Sequence, residues 1–216
     1  MTSLRHRVGS SLLVALALLA AGCISVDVGK DTATPPAQFR ILDAGSAPPP
    51  AAQPNGRQLV VAPQASPSID DSFALAFSRA PNQRAAYQFA TWSDRPSNRL
   101  GQLLVDRLAA RRVFASVTLA GRGVAGDLQL NLVVEDFLHD AAANPGTARV
   151  EVTAEMIDRG TRRLIARQSF RATAPVAEAN SAGAAAALST ASSRVLDQLV
   201  VWAETSASSA PLGSAR

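Results

Sequence analysis

Three stretches of alternating apolar and polar residues, joined by short turns, constrain this chain more than any other feature. Leu128, Leu130, Leu132 and Val134 fall on one side of an extended backbone, separated by Gln129, Asn131 and Val133. The run continues through Phe137 and Leu138, past a bulge near Glu135-Asp136. After a turn at Asn144-Pro145-Gly146, Ala148, Val150, Val152, Ala154 and Met156 alternate with Arg149, Glu151, Thr153 and Glu155. Asp158-Arg159-Gly160-Thr161 leads to a third run, in which Leu164, Ala166, Gln168, Phe170 and Ala172 share a face. A period of two sustained this long specifies an antiparallel meander, apolar inward and polar outward. Its Arg and Glu residues fall on the outer face, where they solvate the sheet and pair across strands.

A sheet with one apolar face needs a second layer. Leu100, Leu103, Leu104 and Leu108 recur at helical spacing through about Arg111, behind a polar stretch from Thr91 to Asn98 that is able to cap a helix and puts Pro96 in its first turn. Arg107, Arg111 and Arg112 lie near the far end, where positive charge offsets the helix dipole. A second helix starts at Asn180 or Ser181, with Leu188, Ser192, Val195, Leu199 and Trp202 along a stripe. Gly183 weakens its beginning. Shorter strands are expected at Gln38–Leu42, at Leu59–Ala62, through Phe73, Leu75 and Phe77, over Ala85–Phe89, and after Val113-Phe114. The fold class is therefore α+β: a single two-layer sandwich, a mainly antiparallel sheet with two helices packed on one face. The domain is expected over 37–204, with a Pro/Ala-rich insertion at about 43–56 and a disordered tail over 205–216.

The N-terminus is of another kind. Arg5, His6 and Arg7 precede an unbroken apolar run from Leu12 to Ala21, followed by Gly22 and Cys23. That run is too short to cross roughly 30 Å of hydrocarbon as a stable helix, and its charged start and small-residue end match an export signal over 1–22. Cys23 is the only cysteine, so an internal disulfide is excluded. The setting Leu19-Ala20-Ala21-Gly22-Cys23 resembles the lipobox of bacterial lipoproteins, whose cysteine is acylated and becomes the new N-terminus. The closest patterns have leucine where this chain has Ala20. An ordinary secretory signal with a chance cysteine, or a retained transmembrane helix, is the alternative. By the same resemblance, Ile24 in place of an aspartate favours the outer membrane, periplasmic face, with residues 23–36 as a flexible tether.

The remaining chemistry is sparse. Beyond the signal the only histidine is His139, so no Cys-His or clustered metal site is expected, and no cofactor. No G-x-S-x-G, H-E-x-x-H or calcium loop occurs. Gly121-Arg122-Gly123-Val124-Ala125-Gly126 resembles a G-x-G-x-x-G loop but precedes a strand rather than a helix, and reads as a flexible turn. A serine-histidine-carboxylate arrangement stays open because sequence does not reveal proximity, yet nothing selects a nucleophile. Lys30 is the only lysine and the arginines are scattered; removal of Arg5 and Arg7 with the signal leaves a nearly balanced chain, which argues against nucleic acid.

Several segments in order carry a family resemblance. They are Cys23, Phe39-Arg40-Ile41-Leu42, Tyr87-Gln88-Phe89-Ala90-Thr91-Trp92, Pro96 with the leucine-rich helix, Phe114-Ala115-Ser116-Val117, Leu128 to Phe137, and the last helix ending at Trp202. Over about 37–204 the chain resembles the ABC-type transport auxiliary lipoproteins, associated with mammalian-cell-entry-domain lipid transport systems. Departures are the insertion around Pro48–Pro54 and Ala20 in the lipobox. The resemblance implies a non-enzymatic component. It would dock or anchor a mammalian-cell-entry-domain substrate-binding protein at the outer membrane, alongside a permease and an ATPase. Phospholipid is the implied cargo, and a homo-oligomeric collar is an arrangement it allows. A stand-alone periplasmic binder of a lipid or other hydrophobic ligand is the alternative. Tyr87, Phe89 and Trp92 have three readings: core beneath the first helix, contact with a partner, or contact with lipid. Arg95 is expected to be exposed and able to meet an acidic partner.

Overall fold

The computed structural model describes residues 35–45, 49–50 and 54–209; Cys23 and the signal segment lie outside the described residues. In chain order the elements are β1 (Ala37–Phe39), β2 (Gln58–Gln64), β3 (Ala74–Ser78), β4 (Ala85–Trp92), α1 (Pro96–Arg111), β5 (Ser116–Leu119), β6 (Leu128–Asp140), β7 (Thr147–Asp158), β8 (Arg163–Pro175) and α2 (Ser181–Ser209). A 3-10 turn at Ile69–Asp71 precedes β3.

The alternating runs form β6, β7 and β8, paired antiparallel along their lengths. Leu128, Leu130, Leu132, Val150, Val152, Ala154 and Met156 are fully buried on the face that α1 and α2 cover. Each such side chain withdrawn from water contributes on the order of 1.5–3 kcal/mol, less for alanine. The expected bulge is present. Val134 lies opposite Val152 and Asp136 opposite Glu151, so Glu135 is skipped and Phe137 returns to the buried face opposite Val150. A second bulge was not legible: Met156 pairs with Ala166 but Ile157 with Leu164. That step turns Leu164 to solvent at 56% exposure, against expectation, and packs Ile165 on the core instead.

The sheet is mixed, mainly antiparallel. The other edge of β6 is shared, with β2 running parallel along Leu128–Val133 and β3 parallel along Leu138–Asp140. Beyond β2 lies β5, also parallel; beyond β3 lies β4, antiparallel, and then β1, parallel to β4. Strand β2 shows why the parallel pairings escaped a search for alternation: Leu59, Val60, Val61 and Ala62 are all buried, as in a strand covered on both faces.

Three further differences set up the site. β1 ends at Phe39 rather than Leu42, because Ile41 turns into the core and the Leu42 and Ala44 amides donate to Ser189 Oγ and Ser193 Oγ of α2 (3.2 and 2.9 Å). Residues 43–45, expected in the insertion, are thus docked on a helix. Helix α2 runs past Glu204 to Ser209 with Ser206 and Ala207 buried, so residues 205–209, expected in the tail, are helical, and residues 210–216 lie outside the described residues. Gly183 has a packing reason: a Cβ there would lie 2.2 Å from the Glu178 carbonyl oxygen. Among the described residues no helix is long and apolar enough to cross a membrane.

Candidate functional site

Strand β4 and the turn into α1 place Tyr87, Phe89, Trp92 and Arg95, and the fold separates them. The ladder is irregular here: Ala76 lies opposite Ala86 but Ala74 opposite Thr91. Simple alternation, which puts Tyr87 and Phe89 on one face, therefore does not hold over Tyr87–Ala90. Trp92 is 1% exposed and meets Phe137 edge-on, with ring centroids 5.6 Å apart. It belongs to the core and offers no surface to a partner. Tyr87 is half-buried, 5.1 Å from the Phe77 ring, and its hydroxyl is 2.7 Å from His139 Nδ1. His139 Nε2 is 2.7 Å from the Pro145 carbonyl, which can only accept. In the neutral ring, Nε2 therefore donates and Nδ1 accepts from the phenol. Burial raises the pKa of that phenol. Phe89 alone of the aromatic trio stands in solvent, at 58% exposure.

Arg95 is half-buried rather than free. It sits in extended backbone before Pro96, its guanidinium 5.8 Å over the Phe73 ring, and it donates to the Asp71 carbonyl at 3.4 Å. The helix cap comes from Asp71 rather than the polar stretch, because the buried Asp71 carboxylate accepts from the Ser97 amide at 2.8 Å. Phe73, expected in the strand with Leu75 and Phe77, lies just before β3 and is 50% exposed. The Trp92 amide donates to the Phe73 carbonyl at 2.7 Å, fixing this residue beside the buried end of β4. The sequence signal for Phe73 was masked because Leu75 and Ala76 are both interior, so β3 has no polar face to count against.

Around these aromatics the outer sheet face is ordered by charge. Glu151 pairs with Arg171 at 2.5 Å, Asp136 with Arg149 and Arg84 at 2.9 Å each, and Arg84 reaches the buried Asp70 at 3.1 Å. The exposed pairs contribute about 0.2–1 kcal/mol each at most. Burial raises the pKa of Asp70, with Arg84 opposing. Among the described residues no group of three or more His, Cys, Asp or Glu side chains is placed to hold a metal ion.

This geometry has known counterparts. The crystal structure of protein XCC0632 from Xanthomonas campestris matches with a TM-score of 0.71 at 23% identity, covering 80% of this chain and 97% of that one. A crystal structure of an uncharacterized protein matches with a TM-score of 0.58 at 14% identity, covering 77% and 99%. At these identities the likeness is one of fold. No curated protein matches the chain. The family model described as the ABC-type transport auxiliary lipoprotein component matches residues 40–200, from the segment after β1 to the last turns of α2. The chain belongs to that family.

Proposed function

We propose that this chain is the non-enzymatic lipoprotein of an envelope lipid transport system, held by an acylated Cys23 on the periplasmic face of the outer membrane. It docks a substrate-binding protein with a mammalian-cell-entry domain, while a permease and an ATPase of the same system supply the energy. Phospholipid is the cargo class. The observation that carries the docking role is Phe89, a large aromatic held 58% exposed on a paired strand, with Phe73 at the same end of the β3–β4 pair. Aromatic side chains of this kind anchor interfaces, since they bury much area for little lost rotamer freedom.

A photo-crosslinking residue at position 89, in intact envelopes, is expected to capture the mammalian-cell-entry partner. Phe89→Ala is expected to weaken that association at least tenfold while changing stability by less than about 0.5 kcal/mol, the range for exposed positions. Capture of no transporter component from position 89 would sink the docking role. Capture of lipid alone would favour a stand-alone binder of hydrophobic ligands. The anchor is checked separately, by the mass of the protein's N-terminal peptide from the same envelopes. An acylated Cys23 at the new terminus is expected. A free thiol with residues 1–22 still attached would remove the outer-membrane placement.

A further inference from the structure

A cleft on the α1 side gathers cations that docking through Phe89 does not use. Its cavity of about 640 Å³ is lined by Arg40, Arg99 and Arg122 together with Gln102, Asp106 and Thr118. The three arginines come from separate segments: just after β1, within α1, and in the loop that follows β5. That loop is the glycine run noted in the sequence, and Gly121 and Gly123 take φ of 83° and 71°, where other residues are strained. Asp106 is the one carboxylate in the lining, so the cleft carries two net positive charges.

Several arginines elsewhere are matched, Arg57 to Asp158, Arg107 to Asp43 and Asp197, Arg111 to Glu204 and Arg171 to Glu151, while others without an ion pair, such as Arg79, Arg112 and Arg163, stand exposed on the surface. Among the described residues, Arg40, Arg99 and Arg122 form no such pair. Arg99 donates Nε to the Ile41 carbonyl at 3.0 Å and Nη1 to Gln102 at 3.3 Å. Its remaining terminal nitrogen has no acceptor among the described residues. Burial first, then the neighbouring Arg40, lower the pKa of the Arg99 guanidinium. Like charges held together, with Arg99 partly desolvated and Arg40 and Arg122 exposed, are relieved by an anion between them.

We propose that this cleft binds the phosphate group of a phosphate ester. Guanidinium forks match phosphate oxygens in plane and charge, and Thr118, whose hydroxyl is a neutral donor, lines the same space. The volume exceeds that of the anion and leaves room for the group esterified to it. A phospholipid headgroup and free phosphate share this chemistry. The headgroup source rests on the anchored-lipoprotein reading, since an acylated Cys23 keeps Arg40 within a short tether of the membrane surface.

The test is calorimetric titration of the full chain, in a phosphate-free nonionic detergent, with inorganic phosphate and with dihexanoyl phosphatidylglycerol. Saturable binding is expected, weakened at least tenfold by Arg122→Gln and lost in the triple variant Arg40→Gln/Arg99→Gln/Arg122→Gln, with Arg163→Gln as an unaffected control. Binding of the lipid alone assigns the site to a headgroup, and binding of inorganic phosphate alone to the free anion; either supports the site. Arg122 is exposed on its loop, so its variant reports binding without disturbing the core. No saturable binding of either probe, or binding that Arg122→Gln and the triple variant leave unchanged, overturns the proposal. That failure leaves the docking role intact, because capture from position 89 is read independently.

Discussion

Trp92→Ala is expected to lower the stability of the domain by about 3–5 kcal/mol, the cost of removing a buried aromatic whose cavity its neighbours only partly fill. Trp92 is 1% exposed, paired to Phe39 across β1 and in edge contact with Phe137 on β6. Its loss therefore loosens β1 and β4 from the central strand together. A domain of ordinary stability holds only 5–15 kcal/mol in all, so the variant should unfold at a much lower urea concentration. A conservative change separates packing from polarity. The indole Nε1 is buried with no hydrogen-bond partner among the described residues, so Trp92→Phe removes an unpaired donor along with some area. It is expected to cost well under half as much as alanine. A loss below about 1 kcal/mol for Trp92→Ala would show that this indole is not part of the working core. The pairing of Trp92→Ala with Phe89→Ala then divides the aromatic segment cleanly: one variant loses stability, the other loses a partner.

That division marks how far sequence alone could go. The meander, both helices and the bulge at Glu135 were legible because alternation over a long strand fixes which side chains must be interior. Leu164 was misassigned because one unpaired residue, Ile165, reverses the face of everything beyond it, and both residues are aliphatic. The separation of Phe89 from Tyr87 was hidden for a related reason: the irregular pairing of β4 with β3 breaks the parity that a regular strand would keep. The arginine cleft was illegible altogether. Arg40, Arg99 and Arg122 are far apart in the chain, and only the parallel placement of β5 beside β2, with α1 above it, brings them to one cavity. Asp71 as a helix cap is another long-range solution to a local need, since the first amides of α1 require an acceptor that the residues just before Pro96 do not supply.

Arg107→Leu is the second change expected to have a large effect, about 2–4 kcal/mol. Sequence placed Arg107 among residues that offset a helix dipole, but the structure makes it the junction of three segments. Its side chain is 4% exposed, with Nε and Nη2 forked onto Asp43 at 2.7 and 2.5 Å and Nη1 on Asp197 at 2.5 Å. Asp43 also accepts from Ser193 Oγ and from the Gly45 amide, each at 3.0 Å. Removing the guanidinium strands a partly desolvated carboxylate and takes away the ion pairs that tie the segment after β1 and α2 to α1, leaving the Leu42 and Ala44 amide bonds to α2 in place. Arg107→Lys keeps the charge but not the fork, and should recover only part of the loss. The pH dependence gives an independent check. The hydrogen bond from Arg107, ahead of the opposing desolvation, lowers the pKa of Asp43 below its ordinary 3.8. Its contribution is therefore fully present above that ordinary value and is lost as pH falls through the depressed one. Asp70 runs the other way, because burial raises its pKa, and the cost of its charge disappears on acidification. Subtracting the Arg107→Leu stability from that of the parent cancels Asp70 and leaves the Asp43 pair. The difference should be level from about pH 6 down to about pH 4 and shrink below it, measured by urea unfolding at each pH. A difference that stays constant into the most acidic samples would mean that Arg107 holds these segments by packing of its stem and not by its charge.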